Sequence, residues 1–220
     1  MATYYVNSGA SGANNGSSWT DAYTTLGAAV TAASSTSDVI KVHVGHAETL
    51  AANATYNIKA ARIICVDKDN SDAYAVQDGT TQYISGTNYN IQLIGASSTD
   101  VACLVYGLAF VVAGTSGLMV AGSANQSAMF IFKNCKLWLT TTNTSGYITS
   151  GSSTATNESI NRFFECDLKF GATAQYFLPR SVIEFYDCSI NSSGSAPSSL
   201  IKIGGKDSAG SFVACSLSLF

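Results

Sequence analysis

Glu165 and Asp187 form the best pair of carboxylates that this chain offers for acid–base chemistry. Hydrolysis of a glycosidic bond needs two carboxyl groups about 5 to 9 Å apart. Both residues, however, occupy one position of a repeated pattern in which other copies have Asn134 and Ala214. Asn and Asp suit a corner of the chain because they tolerate left-handed backbone and hydrogen-bond their own main chain. The pattern therefore favours a turn over a catalytic pair, and we assign no catalytic residue.

Metal ligation is the second chemistry to weigh. His43 and His46 are the two histidines of the chain, and neither has a Cys or Asp partner at motif spacing. The segment DKDNSD, residues 67–72, has acidic residues at alternate positions, as calcium loops do. It has Asp72 and Asp78 where an EF-hand loop requires Gly at position six and Glu at position twelve. We therefore expect a surface turn there and assign no metal and no cofactor.

The six cysteines offer either zinc ligation or disulfides. Zinc is not expected, because none of the four repeated cysteines has CxxC or CxxH spacing. A chain of 220 residues can bury a core without covalent crosslinks, and disulfides are rare in a reducing cytoplasm. We predict that all six cysteines are free thiols that behave as small buried hydrophobic residues.

Four of these cysteines belong to a pattern that recurs in the second half of the chain. Each copy has Phe, two further residues, Cys, and then Leu or Ile two positions later. The cysteines are 31, 22 and 27 positions apart, and repeats of this period indicate a solenoid. The copies are FKNCKLWL (132–139), FFECDLKF (163–170), FYDCSINS (185–192) and FVACSLSL (212–219).

The spacing inside a copy predicts two short strands joined at an angle. Phe130 and Phe132 alternate with other residues, as on a strand with one buried face. Phe132 and Cys135 are three positions apart, so a straight strand would send them to opposite faces. A bend at Asn134 lets both point into one core. Stacked repeats then predict two interior columns, Phe132, Phe163, Phe185 and Phe212 in one and Cys135, Cys166, Cys188 and Cys215 in the other.

Composition excludes several classes of protein. The chain is 46% hydrophobic and 11% charged, with a net charge of −3. The eleven Lys and Arg residues are scattered, which argues against a nucleic-acid groove. No uninterrupted apolar stretch reaches the roughly 18 residues of a membrane span. The first residues lack a basic region followed by an apolar core, so we expect no secretory signal and folding in a reducing cytoplasm.

The elements that position these residues divide the chain into two parts. Residues 1–37 are predicted to form a short strand, a Gly/Ser/Asn loop and a capping helix with Asp21 or Thr20 as its N-cap. Residues 38–220 are predicted to form one continuous domain of parallel strands, with about seven coils. The helix would cover the open end of the solenoid, where strand edges are unpaired.

The N-terminal region resembles the opening of pectate-lyase-like right-handed parallel β-helix proteins. The similarity rests on the YYV strand, the GANNGSSW loop, the TLGAAVTAA helix and the DVIKV first coil, and the Phe-x-x-Cys-x-Leu copies resemble that family's coil corners. It implies an all-β, right-handed, single-stranded parallel β-helix. HAET and RIICVDKD are in addition similar to uncharacterised β-helix proteins of tailed bacteriophages. The wider family includes pectate lyases, polygalacturonases and phage tailspike hydrolases.

Together these observations predict a structural virion protein that is not an enzyme. We expect a head decoration or cement protein that assembles in the host cytoplasm and binds the major capsid protein or another virion protein. No nucleic-acid or membrane partner is expected, and a homo-oligomer is left open. The alternative is a carbohydrate-binding or carbohydrate-cleaving β-helix, such as a tail-fibre module or a polysaccharide lyase.

Trp19 is the candidate interface residue, because it follows a long polar loop and tryptophan is enriched at interface hot spots. The competing interpretation is that Trp19 packs the capping helix onto the first coil.

Overall fold

The structure is a computed structural model of the 220-residue chain. It describes residues 1–59, 62–87, 89–95, 102–113, 117–122, 129–140, 146–150, 160–172, 174–179 and 182–192.

The described residues form nineteen strands and one helix, α1 (Leu26–Ala32). In chain order the strands are β1 (Thr3–Val6), β2 (Val39–His43), β3 (Glu48–Thr49), β4 (Ala54–Ile58), β5 (Arg62–Asp67), β6 (Ala73–Tyr74), β7 (Ile84–Thr87), β8 (Ile91–Gly95), β9 (Ala102–Tyr106), β10 (Ala109–Ala113), β11 (Leu118–Gly122), β12 (Met129–Lys133), β13 (Lys136–Leu139), β14 (Tyr147–Ser150), β15 (Ile160–Phe164), β16 (Asp167–Phe170), β17 (Tyr176–Pro179), β18 (Val182–Tyr186) and β19 (Ser189–Ser192). The prediction of a mostly β protein with parallel sheets is confirmed.

The strands belong to three sheets. Sheet A has the order β1-β2-β5-β9-β12-β15-β18, with β6 antiparallel to β5. Sheet B has the order β19-β16-β13-β10-β7-β3, and sheet C has the order β17-β14-β11-β8-β4. From β2 onward the chain visits the sheets in the sequence A, B, C, and we call one such passage a circuit. Each strand along these orders pairs in parallel with the strand of the preceding circuit.

One hydrophobic core lies between the three sheets. It includes Phe132 from sheet A, Leu137 from sheet B and Ile148 from sheet C, all fully buried. Alternation along the strands decides which side chains enter the core. In β12, Phe130 and Phe132 are buried, whereas the outward Lys133 is exposed. The alternation predicted for this strand is therefore confirmed.

The predicted phenylalanine column is confirmed for its described members. Phe132 pairs in register with Phe163, and Phe163 pairs with Phe185. Their rings stack at centroid distances of 5.0 Å and 5.3 Å. Phe212 lies outside the described residues. Stacking of identical rings on neighbouring strands places large apolar surfaces in contact along the sheet and fixes the register of β12, β15 and β18.

The predicted bend is also present. Asn134, Glu165 and Asp187 have φ angles of 54°, 53° and 50°, in the left-handed region. The backbone N–H of Asn134 donates to the carbonyl oxygen of Phe164 at 3.0 Å, so the corner stays hydrogen-bonded to the next circuit. Gly107 has a φ of 71° at the equivalent place after β9. Ala214, the corner residue of the fourth copy, lies outside the described residues.

The cysteines of the repeat lie directly after these corners and form hydrogen bonds to the preceding circuit. The thiol of Cys135 donates to the carbonyl oxygen of Val105, that of Cys166 to Phe132, and that of Cys188 to Phe163. The three sulfur–oxygen distances are 3.3, 3.5 and 3.3 Å. These cysteines are free thiols in the structure, as are Cys65 and Cys103. Cys215 lies outside the described residues, and the oxidation state of all six cysteines stays a prediction.

The N-terminal segment covers the edge of sheet A. The backbone of β1 exchanges hydrogen bonds with the following loop, from Tyr5 N to Gly16 O and from Tyr23 N to Tyr5 O. Helix α1 then packs against β1, β2 and β4 and buries Leu26, Ala29 and Val30. The hydrogen bonds to β1 pair N–H and C=O groups that an uncovered strand edge would expose.

The predicted helix cap was wrong. Thr25 is the N-cap, and its hydroxyl oxygen accepts a hydrogen bond from Ala28 N at 3.3 Å. Asp21 instead stabilises the preceding loop, accepting from Ala13 N at 2.8 Å and from the Ser18 hydroxyl at 3.1 Å. The helix begins later than expected because Tyr23 is still extended and bridges to Val6.

We expect Phe163→Ala to lower the free energy of unfolding by about 3–5 kcal/mol, because it removes a buried ring from the middle of the stack. Phe164→Ala is the matched control, since Phe164 is the adjacent residue of β15 and points outward. Phe164→Ala should lower the free energy of unfolding by no more than about 1.5 kcal/mol, which is the scale of the ring contact between Phe164 and Tyr186. Urea unfolding measures both, and equal losses would contradict the assignment of the two faces.

We expect Glu165→Asn to stabilise the protein by about 0.5–1 kcal/mol, because Asn tolerates the left-handed backbone that Glu165 adopts. Glu165→Gln is the control that removes the same charge and keeps the strained backbone. Its effect should stay within about 0.5 kcal/mol, since the Lys133–Glu165 ion pair is exposed and spans 3.8 Å. Thermal unfolding would show a higher melting temperature for the Asn variant alone.

Candidate functional site

The outward side of sheet A is rich in apolar side chains. We call the outward side chains of β9, β12, β15 and β18 the outer A face. Apart from Lys133, Arg162 and Glu184 they are apolar or aromatic, and all are half-buried or exposed: Ala102, Leu104, Tyr106, Met129, Ile131, Lys133, Ile160, Arg162, Phe164, Glu184 and Tyr186. Sheet A therefore presents apolar side chains both to the core and to its surroundings.

Aromatic pairs cover part of this face. Tyr186, 45% exposed, stacks on Phe164 with ring centroids 4.6 Å apart and planes 7° from parallel. Tyr74, 59% exposed, packs against Tyr106 with ring centroids 4.9 Å apart and planes tilted by 35°. By contrast, the outward positions of β13, β16 and β19 on sheet B are polar apart from Trp138: Lys136, Trp138, Asp167, Lys169, Ser189 and Asn191.

Trp19 lies at the N-terminal end of the same side of sheet A. Its ring packs edge-on against Tyr5 at 4.8 Å, and its Nε1–H donates to Asp72 Oδ1 at 2.8 Å. It also packs against a small cluster formed by Val39, Ile64 and Val66. Trp19 thus contacts the outward side of sheet A and Asp72, whereas the competing interpretation expected contacts with the capping helix. Its role as an anchor stays a prediction.

A mixed histidine and aspartate cluster lies beside Trp19, where β2 and β5 end. His43 is the last residue of β2 and pairs in register with Val66, so Asp67 follows immediately on the neighbouring strand. His43, Asp67 and Asp69 each offer one possible ligand atom, and these three atoms lie within 4.8 Å of one another. His43 Nε2 is 3.9 Å from Asp69 Oδ2. The sequence prediction assigned no partner to His43, because it considered spacing along the chain and not across strands.

The hairpin between β5 and β6 holds the two aspartates. It is the surface turn expected for residues 67–72, with Ser71 and Asp72 at φ angles of 50° and 56°. Asp72 fixes its far end by accepting from Trp19 and from Lys41 Nζ at 2.8 Å. At its near end, Asp69 N donates to Asp67 Oδ1 at 3.0 Å.

The pKa of His43 lies below its usual value, mainly because burial disfavours the charged imidazolium. The positive charge of Lys68 lowers this pKa further, while the carboxylates of Asp69 and Asp67 oppose the shift. The imidazole is therefore neutral at neutral pH. Neutral imidazole is the form that accepts a proton or ligates a metal.

His46 has a different environment from His43 and is fully buried. Its Nδ1 accepts from Ser8 N at 3.0 Å, so Nε2 carries the proton and donates to Glu48 Oε2 at 3.3 Å. The same Glu48 oxygen accepts from Leu26 N at the start of α1 at 2.8 Å. This network joins the N-terminal loop, the capping helix and β3, so both histidine nitrogens are used structurally.

A cavity of about 630 Å³ lies between α1 and β4, lined in part by Val30, Glu48, Leu50 and Tyr56. The hydroxyl of Tyr56 is buried and has no hydrogen-bond partner within the described residues. Burial raises the pKa of this hydroxyl, and the nearby Glu48 carboxylate adds to the effect. The phenol is therefore protonated throughout the physiological pH range.

The two carboxylates weighed for acid–base chemistry both lie at corners. Glu165 Oε2 is 3.8 Å from Lys133 Nζ at an exposed corner, and Asp187 is the equivalent corner residue one circuit later. Glu184 pairs with Arg162 at 2.6 Å, a contact created by the register of β15 and β18. Spacing along the sequence does not indicate this pair, because the two residues are 22 positions apart.

The signal that would have found these pairs is the strand register. Aligning IKVH of β2 with IICV of β5 places His43 opposite Val66 and beside Asp67. Single-sequence reasoning treated the two segments separately and so missed the contact.

Comparisons of this chain with models of protein families, with curated protein sequences and with solved structures found no match. Among the described residues, no helix has both the length and the apolar character needed to cross a membrane. The function is therefore inferred from the residues of this chain.

We expect folding stability to fall below about pH 6.5 in a His43-dependent way. The unfolded chain takes up a proton near the usual histidine pKa of about 6.5, whereas folded His43 resists protonation until lower pH. Stability is thus fully present above this value and declines as pH falls towards the lowered pKa. Urea unfolding between about pH 7.5 and about pH 5.5 measures the slope. His43→Gln should flatten it, and an unchanged slope would show that His43 titrates normally.

Proposed function

We propose that this chain is a right-handed, single-stranded parallel β-helix that serves as a structural protein of a tailed bacteriophage particle. Its role is that of a head decoration or cement protein that binds the capsid surface. Support for the fold comes from the repeated A, B, C order of the strands and from their parallel pairing with the preceding circuit. Support for the bacteriophage source comes from the resemblance of two short segments, HAET and RIICVDKD, to uncharacterised phage β-helix proteins.

The observation that carries the binding role is the outer A face. Apolar side chains on one face of a sheet are normally covered by a second layer of secondary structure, which removes them from water. Here Leu104, Ile131 and Phe164 stand on the outward side and are half-buried by their own neighbours alone. Aromatic and aliphatic residues of this kind form the desolvated centre of protein interfaces.

The size of the face indicates how it would bind. Four strands of about five residues cover about 19 Å by about 17 Å, or about 320 Å². This area is typical of a functional patch on a monomer but is well below the roughly 800 Å² per partner of a stable interface. The outer A face would therefore be the centre of a larger contact. Trp19, Tyr5 and Tyr74 extend it towards the N-terminal end.

Rigidity of the scaffold supports such a role. The stacked rings beneath the face, from Phe132 to Phe185, hold the outward side chains of the same strands in place. A preorganised surface loses less conformational entropy on binding, so even a small patch can contribute to affinity. Many copies on one particle would add avidity through the effective concentration of neighbouring sites.

Charged groups at the face would set its orientation on the partner. Arg162 and Glu184 neutralise each other, which leaves Lys133, at the end of β12, as the charged group of the patch that has only a distant, exposed partner. A partner surface with apolar side chains and a carboxylate opposite Lys133 fits this arrangement.

The carbohydrate-binding alternative is favoured by one observation, the exposed rings of Tyr74 and Tyr186, which pack against Tyr106 and Phe164 respectively. Flat aromatic rings with a polar end can also bind sugars. The two functions differ in the partner, so one binding experiment separates them.

We expect the chain to co-sediment with purified particles of its phage, and Tyr186→Ala to weaken this binding about 30-fold, the effect of a typical hot spot. Tyr147→Ala is the matched control, because Tyr147 has a similar exposure, 38%, and lies in β14 of sheet C. Both variants should remain folded, with Tyr186→Ala losing no more than about 1.5 kcal/mol of stability through its ring contact with Phe164.

Binding lost equally in both variants would contradict a role for the outer A face. A chain that is absent from particles, yet binds or cleaves an acidic polysaccharide and loses that activity with Glu165→Gln or Asp187→Asn, would replace the structural function with the carbohydrate-active one.

A further inference from the structure

The cluster of His43, Asp67 and Asp69 has a composition that neither the scaffold nor the outer A face requires. One imidazole and two carboxylates come from β2, from the end of β5 and from the adjoining hairpin. Imidazole and carboxylate ligands also occur together at transition-metal sites that leave positions open for water or a partner. We propose that His43, Asp67 and Asp69 bind one divalent transition-metal ion, with Zn²⁺ as the best fit.

The geometry is close to what a metal ion needs. Zinc bonds of about 2.0–2.2 Å place neighbouring tetrahedral ligands about 3.4 Å apart. The three ligand atoms already lie within 4.8 Å of one another, and His43 Nε2 is 3.9 Å from Asp69 Oδ2. Asp69 is 73% exposed, so its side chain can rotate inward without disturbing packed residues.

His43 is positioned as a ligand and is not explained by other contacts. Its side chain is only 15% exposed, and neither ring nitrogen has a hydrogen-bond partner within the described residues. The ring is held edge-on by Trp19 at 6.0 Å. A Cβ at Gly45 would approach the ring to within 2.9 Å, so glycine there leaves room for the imidazole. A mostly buried imidazole whose Nε2 faces carboxylates beyond hydrogen-bond distance leaves space for an ion between them.

Imidazole ligation also selects the class of ion. Calcium and magnesium prefer all-oxygen sites, whereas imidazole favours Zn²⁺ and other transition metals. The net charge of the three ligands is −2 when His43 is neutral, which balances a divalent cation.

The ammonium group of Lys68 would compete with a metal ion for the carboxylate of Asp69. This ammonium group lies 2.6 Å from Asp69 Oδ1 and supplies the positive charge at one of the proposed ligands. Because the lysine stem is flexible and this amine is partly exposed, a metal ion can displace it. Removing Lys68 therefore separates the two interpretations. At a metal site it strengthens metal binding, whereas in a simple ion-paired turn it only breaks the ion pair.

The test uses untagged full-length protein and the metal ions themselves. The Trp138→Phe variant leaves Trp19 as the one tryptophan of the chain, next to His43. Titration with Co²⁺ should quench its fluorescence saturably with a stoichiometry near one, and competition with Zn²⁺ should reverse the quenching. Burial raises the pKa of Cys65 and of Cys103 to about 12, so these thiols are protonated and do not compete at neutral pH.

His43→Gln and Asp69→Asn should each weaken Zn²⁺ binding at least about tenfold. Lys68→Gln should strengthen it. Zn²⁺ should also raise the melting temperature of the wild type and leave that of the His43 variant unchanged. Asp69→Asn keeps the test decisive if the His43 variant folds poorly, because Asp69 is exposed. Unsaturable quenching, equal binding by the Asp69 variant, or weaker binding after Lys68→Gln would each overturn the proposal.

Discussion

Phe132 and Cys135 are three residues apart, yet both side chains are fully buried in one core. A continuous strand cannot achieve this, because an odd step reverses the direction of the side chain. The left-handed backbone at Asn134 resolves the conflict by turning the chain between β12 and β13. The same turn recurs at Glu165 and Asp187, and the rest of the structure depends on it, since each corner allows two sheets to enclose a common interior.

Parallel pairing then brings equivalent residues of successive circuits into contact. Inside the protein this produces the stacked phenylalanine rings and the row of cysteine thiols that donate to carbonyl oxygens of the preceding circuit. Outside, the same register brings unlike residues together, such as Arg162 with Glu184. Stability and surface chemistry therefore share one cause. A change of register by one residue would exchange the inward and outward sets and remove both.

Polar contacts as well as apolar packing hold the N-terminal segment against the first strands. The buried carboxylate of Asp38 accepts from the backbone N–H groups of Ala2, Ser34 and Ser35, and these N–H donors, Ala2 above all, hold its pKa below its usual value. His46 and Glu48 connect the loop and the helix in the same manner. Because each of these groups satisfies backbone donors that would otherwise be buried without partners, the cap orders β2, on which His43 lies, and the loop before α1 that holds Trp19.

The amino-acid sequence by itself determined the parts of this protein that depend on local rules. Alternation identified the inward residues of β12, the odd Phe–Cys step located the corner, and the apolar stripe identified helix α1. Short strands such as β3 and the cap at Thr25 were missed, because tertiary hydrogen bonds define them. Only the tertiary structure placed His43 beside Asp67 and made the outward side of sheet A apolar. Those features depend on which residue of one strand lies opposite which residue of the next, and that register comes from packing across circuits.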